Sequence, residues 1–221
     1  MLCSRHLHSN KIMKIKTETF RNLSTLTNLN LFYNVINEIE VGSFQNLHSL
    51  MTLNLGLNEI KEIKAEHFQN LSSLTNLKLH RNEIKKIQAG TFRNLSSLIT
   101  LDLFDNNISE LGVGSFQNLP NLTTLNLFDN DISELEVGSF QNLPRLKTLK
   151  LYDNKIKNIK AGTFRNLSSL TSLVLYNNAI NELEVGSFQD LPSLTTLNLY
   201  NNKIAKIKAE TFGNLSSLTN L

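Results

Sequence analysis

The sequence predicts a solenoid of stacked coils, because one 24-residue pattern recurs along the whole chain. Phenylalanine returns every 24 residues from Phe20 to Phe212, and asparagine does so from Asn10 to Asn202. With four leucine columns and the isoleucine columns, one unit reads LxxLxxLxLxxNxIxxIxxxxFxN. Columns that stay in register over the full 221 residues indicate one structural unit repeated along one axis.

Each part of the unit has a physical interpretation. The two leucines of LxL point to one face of a short strand, and their neighbours point to the other face. The later apolar positions break that alternation, which is expected where the chain turns back. The asparagine amide can pair with backbone groups of its own and adjacent coils. A lone unit of about seven apolar side chains cannot offset the entropy of ordering its residues, whereas stacked units cover one another.

These columns resemble those of extracellular leucine-rich repeat proteins, of the 24-residue kind found in Toll-like receptors and variable lymphocyte receptors. The resemblance covers residues 2–221. It implies an α/β-type solenoid, a leucine-rich repeat horseshoe with a parallel β-sheet on the concave face and mostly irregular loops on the convex face. It also implies a non-enzymatic binding protein.

We expect a single solenoid over residues 1–221: a partial unit at 1–22, eight full units at 23–214 and a partial unit at 215–221. The cysteine-rich caps usual in such proteins are missing, and either flank would expose a section of core. The expectation is therefore a fragment of something larger; the alternative is a complete protein with makeshift ends.

The composition argues against several functions. The net charge of +3 is spread along the chain, which predicts neither a nucleic-acid partner nor membrane contact. Residues His6 and His8 have metal-ligand spacing, but no third ligand is near, so no metal and no cofactor are predicted. No catalytic set can be assembled, so an enzyme is not expected. Cys3 is the only cysteine, and the N-terminus has no signal-peptide core.

A candidate site emerges from the position that follows each LxL. We call this set of nine positions the ring column, because six of its members are Phe or Tyr in a chain that is 7% aromatic. Its members are His8, Phe32, Gly56, His80, Phe104, Phe128, Tyr152, Tyr176 and Tyr200. Adjacent rings could simply stack on each other, or they could form an exposed aromatic ridge that binds a partner. The prediction is that Phe104, Phe128, Tyr152, Tyr176 and Tyr200 are ligand-binding anchors.

Polar side chains flank this ridge on the outward side of the sheet. The predicted polar part of the ligand site comprises Asp102, Asp105, Asn126, Asp129, Lys150 and Asp153, with Asp131 nearby. A more basic region lies toward the N-terminus, with His6, His8, Lys78, His80 and Arg81. An acidic centre favours a partner with basic and apolar groups. Aspartate after a strand also suits the turn chemistry there, and the sequence leaves that alternative open.

The main hypothesis is an extracellular recognition module that binds a protein or glycan on its concave face, as part of an immune-type receptor or a secreted binder. The alternatives are a structural or adhesion spacer without a ligand site, and an intracellular scaffold. Seven N-x-S/T sequons would allow a glycoprotein if the chain is secreted: Asn22, Asn70, Asn94, Asn107, Asn121, Asn166 and Asn214.

Overall fold

The computed structural model describes residues 4–221, and its main element is a nine-stranded parallel sheet. Each strand has three residues and comes from one repeat unit. The strands are Ser4–His6, Asn28–Asn30, Thr52–Asn54, Asn76–Lys78, Thr100–Asp102, Thr124–Asn126, Thr148–Lys150, Ser172–Val174 and Thr196–Asn198. The predicted solenoid with a parallel sheet is confirmed.

The strands pair in chain order, and each residue lies opposite the residue 24 positions away. Leu125, for example, lies between Leu101 and Leu149. The central residue of these strands is buried and its two neighbours are half-buried, as the LxL pattern predicts. An isolated bridge from Thr196 to Asn220 continues the same pairing. Residues of one column therefore contact each other from coil to coil.

The core is one continuous cluster that runs the length of the solenoid. Leucines and isoleucines of every coil lie in it, most of them fully buried. The phenylalanines of the repeat form a spine on the side away from the sheet. From Phe68 to Phe212 their rings stack with centroids 5.8 to 6.2 Å apart. Each coil thus covers the apolar face of the next, as the unit's composition requires.

The repeated asparagines form a hydrogen-bonded ladder between coils. The Nδ2 of Asn130 donates to the carbonyl oxygens of Leu127 and Phe128 in its own coil and of Leu103 in the preceding coil. Its Oδ1 accepts the backbone N–H of Ile108 at 3.0 Å. The pattern repeats from Asn34 to Asn202. The asparagine column is therefore structural, and it satisfies backbone groups that the turns bury.

The return side of the coils is mostly turns, as predicted. Three pairs of two-residue strands interrupt it: Lys14–Ile15 with Glu38–Ile39, Lys86–Ile87 with Glu110–Leu111, and Asn158–Ile159 with Glu182–Leu183. One 3-10 helix spans Ala65–Phe68. Within residues 4–221 the structure has no helix of the length and apolarity that crossing a membrane requires.

The asparagine ladder yields a stability prediction. Replacing Asn130 with alanine leaves the buried N–H of Ile108 without its acceptor. It also removes one of the two donors from each of three carbonyl oxygens, those of Leu103, Leu127 and Phe128. An unmet buried group costs about 1–3 kcal/mol, so the free energy of unfolding measured by urea titration should fall by about 2 kcal/mol or more once the weakened carbonyl bonds are included.

Asn10→Ala is the matched control, because Asn10 is exposed and its amide bonds only within its own coil. Water can replace those bonds, and the loss should stay below about 1 kcal/mol. Equal losses in the two variants would contradict a ladder that acts between coils.

Candidate binding surface on the concave face

Five consecutive members of the ring column form one stack along the solvent-facing side of the sheet. Neighbouring centroids lie 4.4 to 4.5 Å apart, with planes inclined by 8 to 11°. We call this set the ring stack: His80, Phe104, Phe128, Tyr152 and Tyr176. Each ring is half-buried. The spacing of hydrogen-bonded strands is about 4.8 Å, which matches the thickness of stacked rings. The sheet therefore imposes the stack.

Because the rings cover one another's faces, their edges are the part left to meet a partner. Phe104, Phe128, Tyr152 and Tyr176, four of the five predicted anchors, belong to this stack. The fifth, Tyr200, follows the end of the stack and is 73% exposed. Its aromatic body is thus much more open to solvent than the four stacked rings.

The sequence prediction missed the part played by His80. A Cβ added to Gly56 would meet the Cε1 and Nε2 atoms of His80 at 2.6 Å, so the imidazole lies over the glycine. The ring of Phe32, from the coil before Gly56, lies with its centroid 6.0 Å from that of His80. The missing side chain at position 56 thus lets the stack extend toward the N-terminus. A histidine one unit after a glycine in the same column was the available signal.

Burial also shifts the pKa values of two members of the ring stack. It lowers the pKa of His80, whose Nδ1 is buried and has no hydrogen-bond partner among the described residues. Burial, together with the adjacent Tyr176 hydroxyl, raises the pKa of Tyr152 to about 12. Both side chains are therefore neutral near pH 7, and the stack presents an uncharged ridge.

Beside the ring column, the next residue of every coil has a left-handed backbone with φ between 49° and 58°. We call these positions the left-handed column: Ser9, Tyr33, Leu57, Arg81, Asp105, Asp129, Asp153, Asn177 and Asn201. Asn and Asp tolerate this conformation better than other side chains do. Turn chemistry therefore explains why a short polar residue is present. It does not explain three consecutive acidic residues, because Asn177 and Asn201 meet the same requirement.

Most side chains of the left-handed column have a partner one coil away. Arg81 Nε donates to Asp105 Oδ2 at 3.1 Å. Asn177 Nδ2 donates to Asp153 Oδ1, and Asn201 Nδ2 donates to Asn177 Oδ1, both at 2.7 Å. These contacts cross between coils, so a single repeat unit does not reveal them.

Asp129, at the centre of the column, is a charged member without such a partner among the described residues. Within residues 4–221, no side-chain or backbone donor bonds to its carboxylate. Partial burial, followed by the like charges of Asp105, Asp153 and Asp131, raises its pKa above the ordinary value. Asp131 itself is paired with Lys155 at 2.6 Å. The coil at residues 124–130 thus carries an anion whose surroundings disfavour its charge.

Beside the ring column, on the side opposite the left-handed column, lie the outward residues at the ends of the strands. Asn126 Nδ2 donates to Asp102 Oδ1, whereas Asn126 Oδ1 is buried and accepts no hydrogen bond among the described residues. Lys150 lies opposite Asn126 in the sheet and forms no ion pair within residues 4–221. The predicted polar residues therefore lie on both sides of the ring stack, and together they form one continuous surface.

The N-terminal end of the face is less compact. The rings of His6 and His8 meet edge to face at 6.2 Å, and Lys78 lies beside Asp102 in the sheet. Within residues 4–221 there is no group of three His, Cys, Asp or Glu side chains that could hold a metal ion. Arg81 belongs to the acidic centre through its ion pair with Asp105.

The position of His80 gives a spectroscopic prediction. In Gly56→Ala the new methyl group occupies the space under the imidazole and displaces the ring from Phe104. The pKa of His80 should rise toward the ordinary histidine value, because displacement exposes the ring to water. An NMR titration of the His80 ring protons measures this shift. Gly112→Ala is the control, since its Cβ would meet nothing within 4 Å.

The environment of Asp129 gives a stability prediction. A pKa raised by folding means that the ionised carboxylate destabilises the folded state as pH rises through the carboxyl range. Asp129→Asn should therefore unfold at a higher temperature than the wild type at pH 7, and the gain should disappear as the pH falls below the ordinary aspartate pKa.

The control is Asp190→Asn, another left-handed position, where asparagine occupies the matching place in all eight other units. It removes the 3.8 Å contact with Arg165 and should give no such pH-dependent gain. A destabilised Asp129→Asn at pH 7 would contradict an unpartnered carboxylate.

The chain resembles known proteins in both sequence and fold. The leucine-rich repeat family matches residues 6–55, 26–84, 72–132, 121–180 and 168–221, which together cover nearly the whole chain. An internalin from Listeria monocytogenes is 28% identical with a TM-score of 0.74, over 98% of this chain and 59% of its own. TLR13, solved as a complex with ssRNA13, is 24% identical with a TM-score of 0.65, over 95% of this chain and 42% of its own.

The chain thus spans about half the length of these two structural neighbours. No curated protein matches it. The repeat pattern, the parallel sheet and the family match agree, and the chain belongs to the leucine-rich repeat family.

Proposed function

We propose that this chain is a non-enzymatic recognition module that binds a protein ligand on the concave face. The observation that carries the proposal is the run of Asp105, Asp129 and Asp153 beside the ring stack. Asparagine would serve the fold equally at these positions, as it does at Asn177 and Asn201. Like charges in one column oppose folding, so their presence fits a selective role outside the fold.

The ring stack supports the same function through its shape and chemistry. Its half-buried rings offer a broad apolar ridge, and aromatic anchors are frequent at the centres of protein interfaces. The tyrosines add a hydroxyl to that area at a small cost in side-chain entropy. Tyr200, which is 73% exposed, extends the ridge toward the C-terminus.

The resemblance to receptor ectodomains, and the internalin and TLR13 neighbours, support an extracellular location in a receptor or a secreted binder. A part in innate immunity rests on the same resemblance. The TLR13 neighbour was solved with single-stranded RNA. For this chain an acidic centre disfavours a phosphate backbone, so a protein ligand fits the face better than a nucleic acid.

A triple substitution tests the proposal. Replacing Phe104, Phe128 and Tyr152 with serine removes three adjacent anchors from the exposed side of the sheet and leaves the buried core intact. Loss of central aromatic anchors typically costs 2 kcal/mol or more each, so binding to an array of secreted and cell-surface proteins should weaken by at least about tenfold.

The matched control replaces Val113, Val137 and Val185, which are about half exposed on the outer flank of the coils. This control should keep all interactions of the wild type. Interactions that survive in the aromatic variant and disappear in the valine variant would move the site to the flank. A wild-type chain that binds nothing on the array would favour the spacer role.

A further inference from the structure

The ring stack limits which part of a partner can lie against it. An aromatic ring attracts cations to its faces and carries partial positive charge at its edge. From His80 to Tyr176 the faces are turned toward neighbouring rings at 4.4 to 4.5 Å. A partner therefore meets ring edges, which suit alkyl groups and carbonyl oxygens. A cationic head has to find its counter-charge elsewhere on the face.

The left-handed column provides that counter-charge at one place. Asp105 is engaged by Arg81, and Asp153 is engaged by Asn177. Asp129, between them, has no donor among the described residues. The charged groups that act on its carboxyl are Asp105, Asp153 and Asp131, all of the same sign. The carboxylate of Asp129 thus has no counter-charge from a described residue.

On the opposite side of Phe128, a second oxygen lacks a hydrogen-bond donor. Asn126, in the same coil, has an acceptor oxygen without a hydrogen bond, and its amide nitrogen is committed to Asp102. That oxygen is buried, so the acceptor beside Phe128 that is open to a partner is the Asp129 carboxylate. Long basic side chains suit this arrangement, because their alkyl stems lie on apolar surface while their charged ends remain polar.

We propose that the concave face recognises a protein segment through a lysine or arginine whose stem lies along the edges of Phe128 and Tyr152 and whose charged end bonds to Asp129. This assignment rests on the proposed recognition function and adds the chemistry of the partner. Charge complementarity selects a basic segment over a neutral or acidic one, since an acidic segment would meet three aspartates. A neutral glycan would leave the Asp129 carboxylate without a counter-charge.

Random linear peptides displayed on phage provide the probe, with the full chain immobilised as bait. Peptides recovered on the wild type should be enriched in lysine and arginine relative to the starting library. Their affinity should fall at least about fivefold in Asp129→Asn and weaken with added salt. Asparagine is already present in this column at residues 177 and 201, so the substituted chain is expected to fold.

Asp190→Asn is the matched control, and it should change affinity by less than about twofold, because Asp190 lies in the turns on the far side of the coil. The serine variant of Phe104, Phe128 and Tyr152 separates the two claims. Peptides that this variant no longer binds, without basic enrichment or sensitivity to Asp129→Asn, would overturn the basic partner and leave the concave site standing. Failure to recover any peptide that depends on the three rings would overturn both.

Discussion

The constraint on which the structure depends is the translation of one coil onto the next. Parallel pairing places each residue opposite its equivalent 24 positions away. Equivalent side chains of neighbouring coils therefore lie next to each other, separated by the distance between strands. That rule favours leucines, which cover each other, and asparagines, whose amides both donate and accept. It also favours flat rings, since the spacing of strands and of stacked rings nearly coincide. It opposes a column of equal charges.

The concave face contains both a column that this register favours and one that it opposes. The ring stack follows the rule and gives the face a rigid apolar ridge, while the aspartates beside it break the rule. Arg81 donates to Asp105 and Asn177 donates to Asp153, each from an adjacent coil. Asp129 has no such donor among the described residues. An unpaired charge of this kind beside aromatic side chains is consistent with the proposed binding role, since rules of the fold are most often broken at functional sites.

Much of this could be predicted from the sequence, because a strict repeat converts position in the unit into position in space. The strands, the buried leucines and the ring column follow directly from the spacing. The ladder of Asn34 to Asn202 follows from the chemistry of the amide. What the sequence did not show depends on side-chain direction: His80 lying over Gly56, and the cross-coil bonds of Asp105 and Asp153. Each of those contacts joins two different residue types within one column, so the repeat pattern does not predict it.

The proposed basic partner depends on the carboxylate of Asp129 having no hydrogen-bond donor or cation among residues 4–221. The most direct test is an NMR titration of the Asp129 side-chain carboxyl in the free protein. We expect a pKa above the ordinary aspartate value, because partial burial and three neighbouring acids act on the carboxyl. A pKa at or below that value would mean that a donor or cation of the chain itself already satisfies Asp129, and the argument for a basic partner would fail.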